Sequence, residues 1–375
     1  MKIIIAPDSF KGSVSAIEVA QSMQRAVLSV NPSAQIAIMP VADGGEGTID
    51  AIASCVPAAI HEIEVCGPMG EKANAKYAVL TESETAVIEM AQASGLPMVP
   101  RHERNPLLAT TYGTGQLMKD ALNRGCKRMI IGIGGSATND GGVGVLMALG
   151  ASFRDAEGKE LKFGGGALAE LAEIDMSEFD SRIFDVDITV ACDVTNPLTG
   201  ENGASYVYGP QKGANPNMVK QLDEALAHFA RMSAEEIGED YSTYPGTGAA
   251  GGLGFALIAY CKAKFAAGID IVLNVTGFEK ELEDADLVLT GEGRIDGQSV
   301  QGKVLYGIGT RAKEKQVPVI AIGGAVREDS EALLDHGITA MFSIANGPMS
   351  LEYAMENGSD LIYQITKNVM RVVLK

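Results

Sequence analysis

The chain begins Met1-Lys2-Ile3-Ile4-Ile5-Ala6-Pro7-Asp8, and this stretch indicates the fold. The apolar run over 2–6 has the length of a buried strand and stops at a proline. A helical pattern follows, with Ser13 or Ser15 available as its N-cap. Residues 35–39 form the next strand-like run. Because strands that alternate with helices form parallel sheets, the N-terminal part is predicted to be a βαβ unit.

The alternation of strands and helices returns near the C-terminus, and a different pattern lies between. Residues 60–65, 73–80 and 85–90 are strand-like with no helix between them, which predicts an antiparallel meander. We therefore predict an α/β protein with two different α/β domains. Residues 1–70 and 286–375 are expected to form one parallel α/β domain from both chain ends, and 71–285 an inserted mixed α/β domain.

Composition excludes several classes of function. The 375 residues carry a formal charge of −18 with scattered Lys and Arg, so the basic stripe of a nucleic-acid-binding protein is missing. No apolar run reaches the roughly 18 residues that a membrane-spanning helix needs, and the N-terminal run is too short for a signal peptide. Five widely spaced cysteines without a CxxC argue against disulfides and zinc, and favour a reducing cytoplasm.

The first candidate site follows the first predicted strand, in Pro7-Asp8-Ser9-Phe10-Lys11-Gly12-Ser13. Ligands of parallel sheets gather at the carboxyl ends of the strands. Asp8, Ser9, Lys11 and Ser13 could hold a carboxylate, a phosphate or magnesium there. A helix-capping turn would explain the presence of Ser13, but it would not explain why Asp8 and Lys11 occur there.

The second candidate site follows the second predicted strand, in Ala42-Asp43-Gly44-Gly45-Glu46-Gly47-Thr48. Gly44 and Gly45 allow the backbone to approach a ligand closely. Magnesium takes one or two carboxylates together with phosphate oxygens, so Asp43 and Glu46 are its predicted ligands. The alternative is that Asp43 only caps the next helix. The first two turns are expected to share one site.

A third glycine-rich stretch runs from Gly132 to Gly142, between a strand and an apolar helix. Backbone amides at a helix N-terminus bind anions. Gly132, Gly134 and Ala137 also match the dinucleotide fingerprint G-x-G-x-x-A, with Asp155 near the expected acid. A short helix and the lack of a repeated βαβ pattern weigh against that interpretation. The predicted binding residues of this stretch are Gly134, Gly135, Ser136, Asn139 and Asp140.

Two further stretches follow predicted strands. Asp193 and Asn196 come directly after the strand 188–192. Gly291 and Arg294 belong to the stretch 290–296, which is expected to be a turn after the strand 285–289. Asn196 and Gly291 are predicted to bind a substrate or the nucleotide.

Residues 297–303 read G-x-x-x-x-G-K, like a P-loop. Val304 stands where a P-loop has the Ser or Thr that binds magnesium, and the loop is too long, so a Walker-type P-loop is rejected. Lys303 remains a candidate for neutralising phosphate charge. The four histidines lie in none of these stretches, which leaves a Ser-His-Asp or zinc mechanism without support.

Nearly the whole chain resembles the type 1 glycerate kinases. The resemblance rests on the stretches 6–12, 42–48, 132–144, 192–198, 208–213, 245–254 and 291–296, in one order. It implies ATP-dependent phosphorylation of D-glycerate, usually at the 2-hydroxyl, to give 2-phosphoglycerate. It also implies two different α/β domains, one of them flavodoxin-like, and ATP and glycerate as the substrates. Together with the magnesium ligands predicted above, ATP and Mg²⁺ are the expected cofactors, and the composition predicts no nucleic-acid or membrane partner.

Phosphoryl transfer needs charge neutralisation, in-line positioning and a group that takes the hydroxyl proton. We expect Asp193 to accept that proton, Lys11 and Arg294 to hold phosphate or the substrate carboxylate, and the 134–139 turn to donate amides to an anion. Phosphorylation at the 3-hydroxyl, an NAD-dependent hydroxy-acid dehydrogenase and a non-catalytic nucleotide or sugar-acid sensor remain as alternatives.

Overall fold

The structure, a computed structural model, describes residues 1–300 and 303–374. Two compact units can be separated: Met1–Asp43, Asp50–Pro57 and Ala267–Lys375 form the first, and Gly44–Ile49 with Ala58–Ala266 form the second. Among the described residues, no helix combines the length and the apolar character needed to cross a membrane.

The strands of both units are numbered in chain order. They are β1 (Lys2–Ile5), β2 (Gln35–Ile38), β3 (Ala58–Cys66), β4 (Lys72–Leu80), β5 (Thr85–Glu89), β6 (Arg128–Gly132), β7 (Ser152–Arg154), β8 (Glu173–Asp175), β9 (Asp187–Ala191), β10 (Lys264–Ala266), β11 (Leu287–Ile295), β12 (Val319–Val326) and β13 (Ala340–Ser343).

The α-helices are numbered in the same way. They are α1 (Ala16–Val30), α2 (Thr48–Cys55), α3 (Ala91–Ser94), α4 (Tyr112–Asn123), α5 (Val143–Ala148), α6 (Ala204–Tyr208), α7 (Pro216–Ile237), α8 (Leu253–Cys261), α9 (Gly268–Thr276), α10 (Phe278–Leu282), α11 (Val304–Glu314), α12 (Ala332–Asp335), α13 (Leu351–Glu356) and α14 (Gly358–Val373).

The first unit contains a parallel sheet with the strand order β13-β12-β11-β1-β2. Ile3, Ile4 and Ile5 are all fully buried, as expected for a central strand covered on both faces. Helix α1 starts with a capping box, in which Ser15 Oγ accepts from Glu18 N and the Glu18 carboxylate accepts from Ser15 N. The predicted parallel sheet built from both chain ends is therefore present.

Strand β11 is longer than the sequence predicts. Residues 290–295 were expected to form a turn, but they continue the strand and pair with β12, with Glu292 opposite Gly323. The glycines allow close contact between strands: a Cβ on Gly291 would lie 2.1 Å from Ile322 O. The turn prediction for this stretch is wrong, because its glycines provide room for a neighbouring backbone rather than a change of direction.

The second unit contains a mixed sheet with the order β10-β9-β6-β5-β4-β3. Strands β3, β4 and β5 are antiparallel, and β5, β6, β9 and β10 are parallel. The predicted meander is thus confirmed. Its core includes Tyr77, Phe153 and Phe229, which are fully buried.

The compact units have other limits than 1–70, 71–285 and 286–375. Strand β3 pairs with β4 along its whole length, so the residues from Ala58 belong to the second unit. Helix α9 belongs to the first unit, where Arg311 of α11 pairs with Asp270 at 2.9 Å. An alternating pattern identifies a strand but not its partner, which is why the sequence shows such limits only coarsely.

Candidate functional site

The strand order of the first unit reverses between β1 and β11. The chain runs from β1 to β2 on one side, and from β11 through β12 to β13 on the other. In open parallel sheets ligands bind outside the carboxyl ends of the strands at such a switch point. Asp8 stands there, and its backbone N–H donates to Gly291 O at 2.8 Å. The fold of this unit therefore puts the first predicted turn where a ligand is expected.

Three carboxyl groups and one lysine form the polar cluster at this switch point. Lys11 Nζ lies 3.3 Å from Asp43 Oδ2, and Glu292 accepts a hydrogen bond from Ser299 Oγ. Burial and the charge of Asp43 raise the pKa of Asp8 to about 6. Burial, with the charge of Asp8 adding to it, raises the pKa of Glu292 to about 7 despite the bond from Ser299. The cluster has more negative groups than positive ones.

The pKa of Lys11 reflects the same excess of negative charge. Desolvation lowers it, but the charges of Asp43 and Asp8 outweigh that effect and raise the pKa above its ordinary value. A cation, or a phosphate that brings its own cation, would relieve the repulsion between these carboxylates.

The fit to magnesium follows from these donors. Within residues 1–300 and 303–374, no three His, Cys, Asp or Glu side chains are placed to hold a metal ion together. Magnesium usually takes only one or two carboxylates and completes its shell with phosphate oxygens and water. Asp43 beside Asp8 fits that pattern. Glu46 is exposed and belongs to the second unit, so the two predicted ligands fall in different compact units.

The other predicted residues of the first unit have varied surroundings. Ser9 N donates to Asp8 Oδ1 at 2.6 Å, and Ser13 Oγ donates to the backbone oxygen of Met355. The exposed Arg294 pairs with Asp296 at 2.8 Å.

Lys303 directly precedes α11, and its charge lowers the pKa of Glu292. Lys303 is therefore close to the cluster. Gly302, which belongs to the P-loop-like stretch 297–303, lies outside the described residues.

In the second unit, the second and third predicted turns pack against each other. A Cβ on Gly132 would lie 2.2 Å from Gly44 O, and one on Gly134 would lie 3.2 Å from Gly45 Cα. Glycine is therefore required at Gly132 for the two backbones to meet. The N–H of Ile49, in the same segment, donates to the buried Glu89 at 2.7 Å. The sequence predicted that Gly44 and Gly45 approach a ligand, and the structure shows them also approaching their own chain.

Asp140 is buried, and four donors surround its carboxylate. Thr111 donates through its N–H and its hydroxyl, both at 2.8 Å. Gly142 N and Gly144 N donate at 3.1 and 3.3 Å. Because Asp140 occupies amides at the start of α5, a helix of six residues, an external anion has little to bind at that helix start. A dinucleotide fingerprint needs free amides at the helix start to bind a pyrophosphate, and Asp140 already accepts from the amides of Gly142 and Gly144.

Lys212 is a polar residue of this region that the sequence analysis did not select. It is 2% exposed, and its Nζ donates to Ser136 Oγ at 2.7 Å and to Thr138 O at 2.6 Å. Burial lowers its pKa to about 7, against the opposing effect of Asp140. The stretch 209–213 was recognised as a turn, but no sequence signal shows that its lysine points inward.

Two predicted residues follow β9. Asp193 is exposed. Asn196 Nδ2 donates to Asn202 O at 2.8 Å, and its Oδ1 accepts from Tyr208 at 2.7 Å. The side chain of Asn196 thus connects parts of its own loop.

Comparison with known proteins identifies the family to which the chain belongs. Residues 3–374 match the model of the "Glycerate kinase family". The chain is similar to a glycerate kinase of Bacillus subtilis (50% identity over 98% of this chain and 97% of the relative). It is also similar to glycerate 2-kinase of Escherichia coli (47%, again 98% and 97%). A crystal structure of a candidate glycerate kinase 2 from Salmonella typhimurium LT2 has a TM-score of 0.89 at 47% identity, covering 100% of this chain and 98% of that one. The chain therefore belongs to the glycerate kinase family.

Proposed function

We propose that the protein transfers the γ-phosphoryl group of ATP to the 2-hydroxyl of D-glycerate and releases 2-phosphoglycerate and ADP. The observation that carries the proposal is the cluster of Asp8, Lys11 and Glu292 at the switch point of the first unit. The 2-position is favoured because the Escherichia coli relative is named a glycerate 2-kinase.

The reaction needs its negative charges held in place. In the transition state the charge spreads over the oxygens of the transferred group, and fixed cations stabilise it. Lys11 forms an ion pair with Asp43, and Lys303 is close enough to Glu292 to affect its pKa. We assign to Lys11 and Lys303 the role of neutralising the negative charge of the phosphate groups. Arg294 can bind a phosphate or the substrate carboxylate once that anion replaces Asp296 as its partner.

The glycerate hydroxyl loses its proton as its oxygen bonds to the γ-phosphorus and the bond to ADP breaks. Asp193 is the proposed acceptor, because an exposed carboxylate after a strand can reach a substrate. Glu292 is the second candidate for this role. Its pKa of about 7 is well matched to taking and releasing a proton near neutral pH.

Magnesium would be held by Asp43, with Glu46 as the second proposed carboxylate. When bound, the ion would neutralise phosphate charge. The cysteine composition favours the cytoplasm as the compartment, where ATP and a small hydroxy acid are the partners.

The test is a coupled assay of ADP release with ATP, Mg²⁺ and D-glycerate, with glycerate omitted as the control. ADP release that depends on glycerate is the expected result, and NMR of the product then distinguishes 2- from 3-phosphoglycerate. Reduction of NAD by glycerate without ADP would indicate the dehydrogenase instead. Ligand binding with neither product would indicate the sensor.

A further inference from the structure

Lys212 presents an energetic problem that its own surroundings do not solve. Its amino group is buried in the second unit, and its two acceptors, Ser136 Oγ and Thr138 O, are neutral. Among the described residues, it forms no ion pair. A buried ammonium without a partner of opposite charge is costly, so it is retained only where something compensates for it.

Asp140 is the charged group that acts on Lys212 from the neighbouring stretch. It raises the pKa of Lys212, but burial outweighs it. Four other donors use the Asp140 carboxylate, so it is committed to Thr111 and to the amides at the start of α5. Asp140 therefore compensates the charge of Lys212 only in part.

Asn139 gives a second and independent sign that this cluster lacks a partner. Its Nδ2 donates to Ser205 Oγ at 3.0 Å. Its Oδ1 is the one buried side-chain polar atom in the described chain that has no hydrogen-bond partner. Asn139 directly follows Thr138, whose carbonyl holds Lys212. The cluster thus combines a buried lysine whose charge Asp140 compensates only in part and a buried acceptor without a donor. An anionic group would pair with Lys212, and a hydroxyl of the same substrate would donate to Asn139 Oδ1.

We propose that Lys212 is a positioning residue of the kinase reaction, which fixes the turn from Ser136 to Asn139 and gives it the positive charge that receives an anionic group of a substrate. The inference rests on the proposed function. The anionic group is a carboxylate or a phosphate, and the two substrates supply these separately: glycerate carries only the carboxylate, and ATP only phosphates.

The experiment compares Lys212→Met with the wild type. Methionine keeps the length and the apolar stem but removes the charge and both hydrogen bonds. Lys119→Met is the matched control, because Lys119 is an exposed lysine of the same unit that donates to a single backbone oxygen, Ala148 O at 3.3 Å. The KM for D-glycerate, the KM for ATP and kcat are measured for each protein, with circular dichroism as the check of folding.

We expect Lys212→Met to raise one KM by about tenfold or more, with a smaller loss in kcat, because a group that holds substrate in ground and transition states alike acts mainly on KM. A rise in the KM for glycerate identifies the carboxylate, and a rise for ATP identifies phosphate. The inference is overturned if folded Lys212→Met keeps both KM values within about twofold, as Lys119→Met should.

Two further measurements keep the test decisive. If Lys212→Met does not fold, Ser136→Ala replaces it, since this variant removes one acceptor and keeps the charge. An unchanged KM for both substrates in that variant overturns the positioning role. If the wild type releases no ADP, the proposed function fails, and thermal stabilisation by ADP or by D-glycerate is compared instead. Equal stabilisation of Lys212→Met and the wild type by each ligand then overturns the inference by itself.

Discussion

The backbone N–H of Asp8 donates to the carbonyl oxygen of Gly291 at 2.8 Å, which ties the residues after β1 to the middle of β11. Because Glu292 follows Gly291, this bond keeps the carboxyl groups of Asp8 and Glu292 together at the carboxyl ends of the strands. The charge of Asp8 adds to burial in raising the pKa of Glu292. The fold thus maintains an electrostatic repulsion that costs stability, as sites that bind charged ligands often do.

Glu292→Gln should stabilise the protein at pH 8 while lowering its activity. The pKa of Glu292 rises from 4.5 to about 7 on folding, so the folded state holds this proton more tightly than the unfolded state does. Stability therefore falls as pH rises from about 4.5 to 7, and the full cost is present above pH 7. At about 1.4 kcal/mol per pKa unit, the gain at pH 8 should be on the order of 1–3 kcal/mol.

Urea unfolding at pH 5 and pH 8 measures this effect, with the exposed Glu328→Gln as the matched control. The wild type should be relatively less stable at pH 8, and the difference should shrink in Glu292→Gln. Equal changes in both variants would show that burial of Glu292 is not the cause.

Lys11→Met should lower kcat/KM by about a hundredfold, the usual cost of removing one group that stabilises transition-state charge. Without this cation the pKa of Asp8 should rise further, so the acidic limb of the pH–rate profile should move to higher pH. Lys313→Met is the control, because Lys313 donates to a backbone oxygen, Asp335 O, at 2.7 Å in the same unit. If the acidic limb of the pH–rate profile does not shift in Lys11→Met, the charge of Lys11 does not affect the ionisation of the carboxyl cluster.

The parallel sheet of the first unit could be predicted from the sequence because short apolar runs alternated with helical patterns. The position of Lys11 near Asp43 also followed, since both residues lie in the turns that follow two neighbouring strands. Lys212 and Glu292 could not be selected in this way. Their properties depend on burial and on groups far along the chain, Ser136 and Asp8, and no local pattern encodes such contacts.

The same limit explains the glycine-rich stretches. Gly134 suggested ligand binding, and Gly291 suggested a turn. In the structure each also makes room for another segment of its own chain, Gly45 and Ile322 respectively. A glycine that admits a ligand and a glycine that admits a neighbouring backbone have the same appearance in a sequence.

Asp193→Asn should reduce kcat at least about a hundredfold if Asp193 takes the hydroxyl proton, within the range usual for general base catalysis. The fold should be unaffected, because the side chain is exposed. Asp187→Asn is a matched control at the opposite end of the same strand β9. Near-wild-type turnover in Asp193→Asn, with a large loss in Glu292→Gln, would transfer the role to Glu292.

Asp140→Asn should lower the free energy of unfolding rather than affect catalysis directly. The amide keeps one acceptor oxygen but turns an N–H₂ group toward the donors of the other oxygen, which are either Gly142 N or Thr111 N with Gly144 N. Loss of these buried bonds should cost about 2–4 kcal/mol. The urea midpoint measures this, with Asp155→Asn in an exposed turn as the control. A normal midpoint with a raised KM would instead support direct ligand binding by Asp140.

Gly132→Ala should disrupt the contact between the two glycine-rich segments of the second unit. The added methyl group would lie 2.2 Å from Gly44 O, an oxygen of the backbone that cannot swing aside as a side chain can. Gly44 or the end of β6 must shift, and such overpacking typically costs about 1–3 kcal/mol or more. Gly347→Ala is the control, because no atom lies within 4 Å of the position of its Cβ. We expect a lower unfolding temperature and at least about a tenfold loss of kcat/KM for Gly132→Ala alone, since small displacements of positioning groups are costly in catalysis. A variant with normal stability and normal kinetics would mean that the close approach of Gly132 to Gly44 is not needed for either.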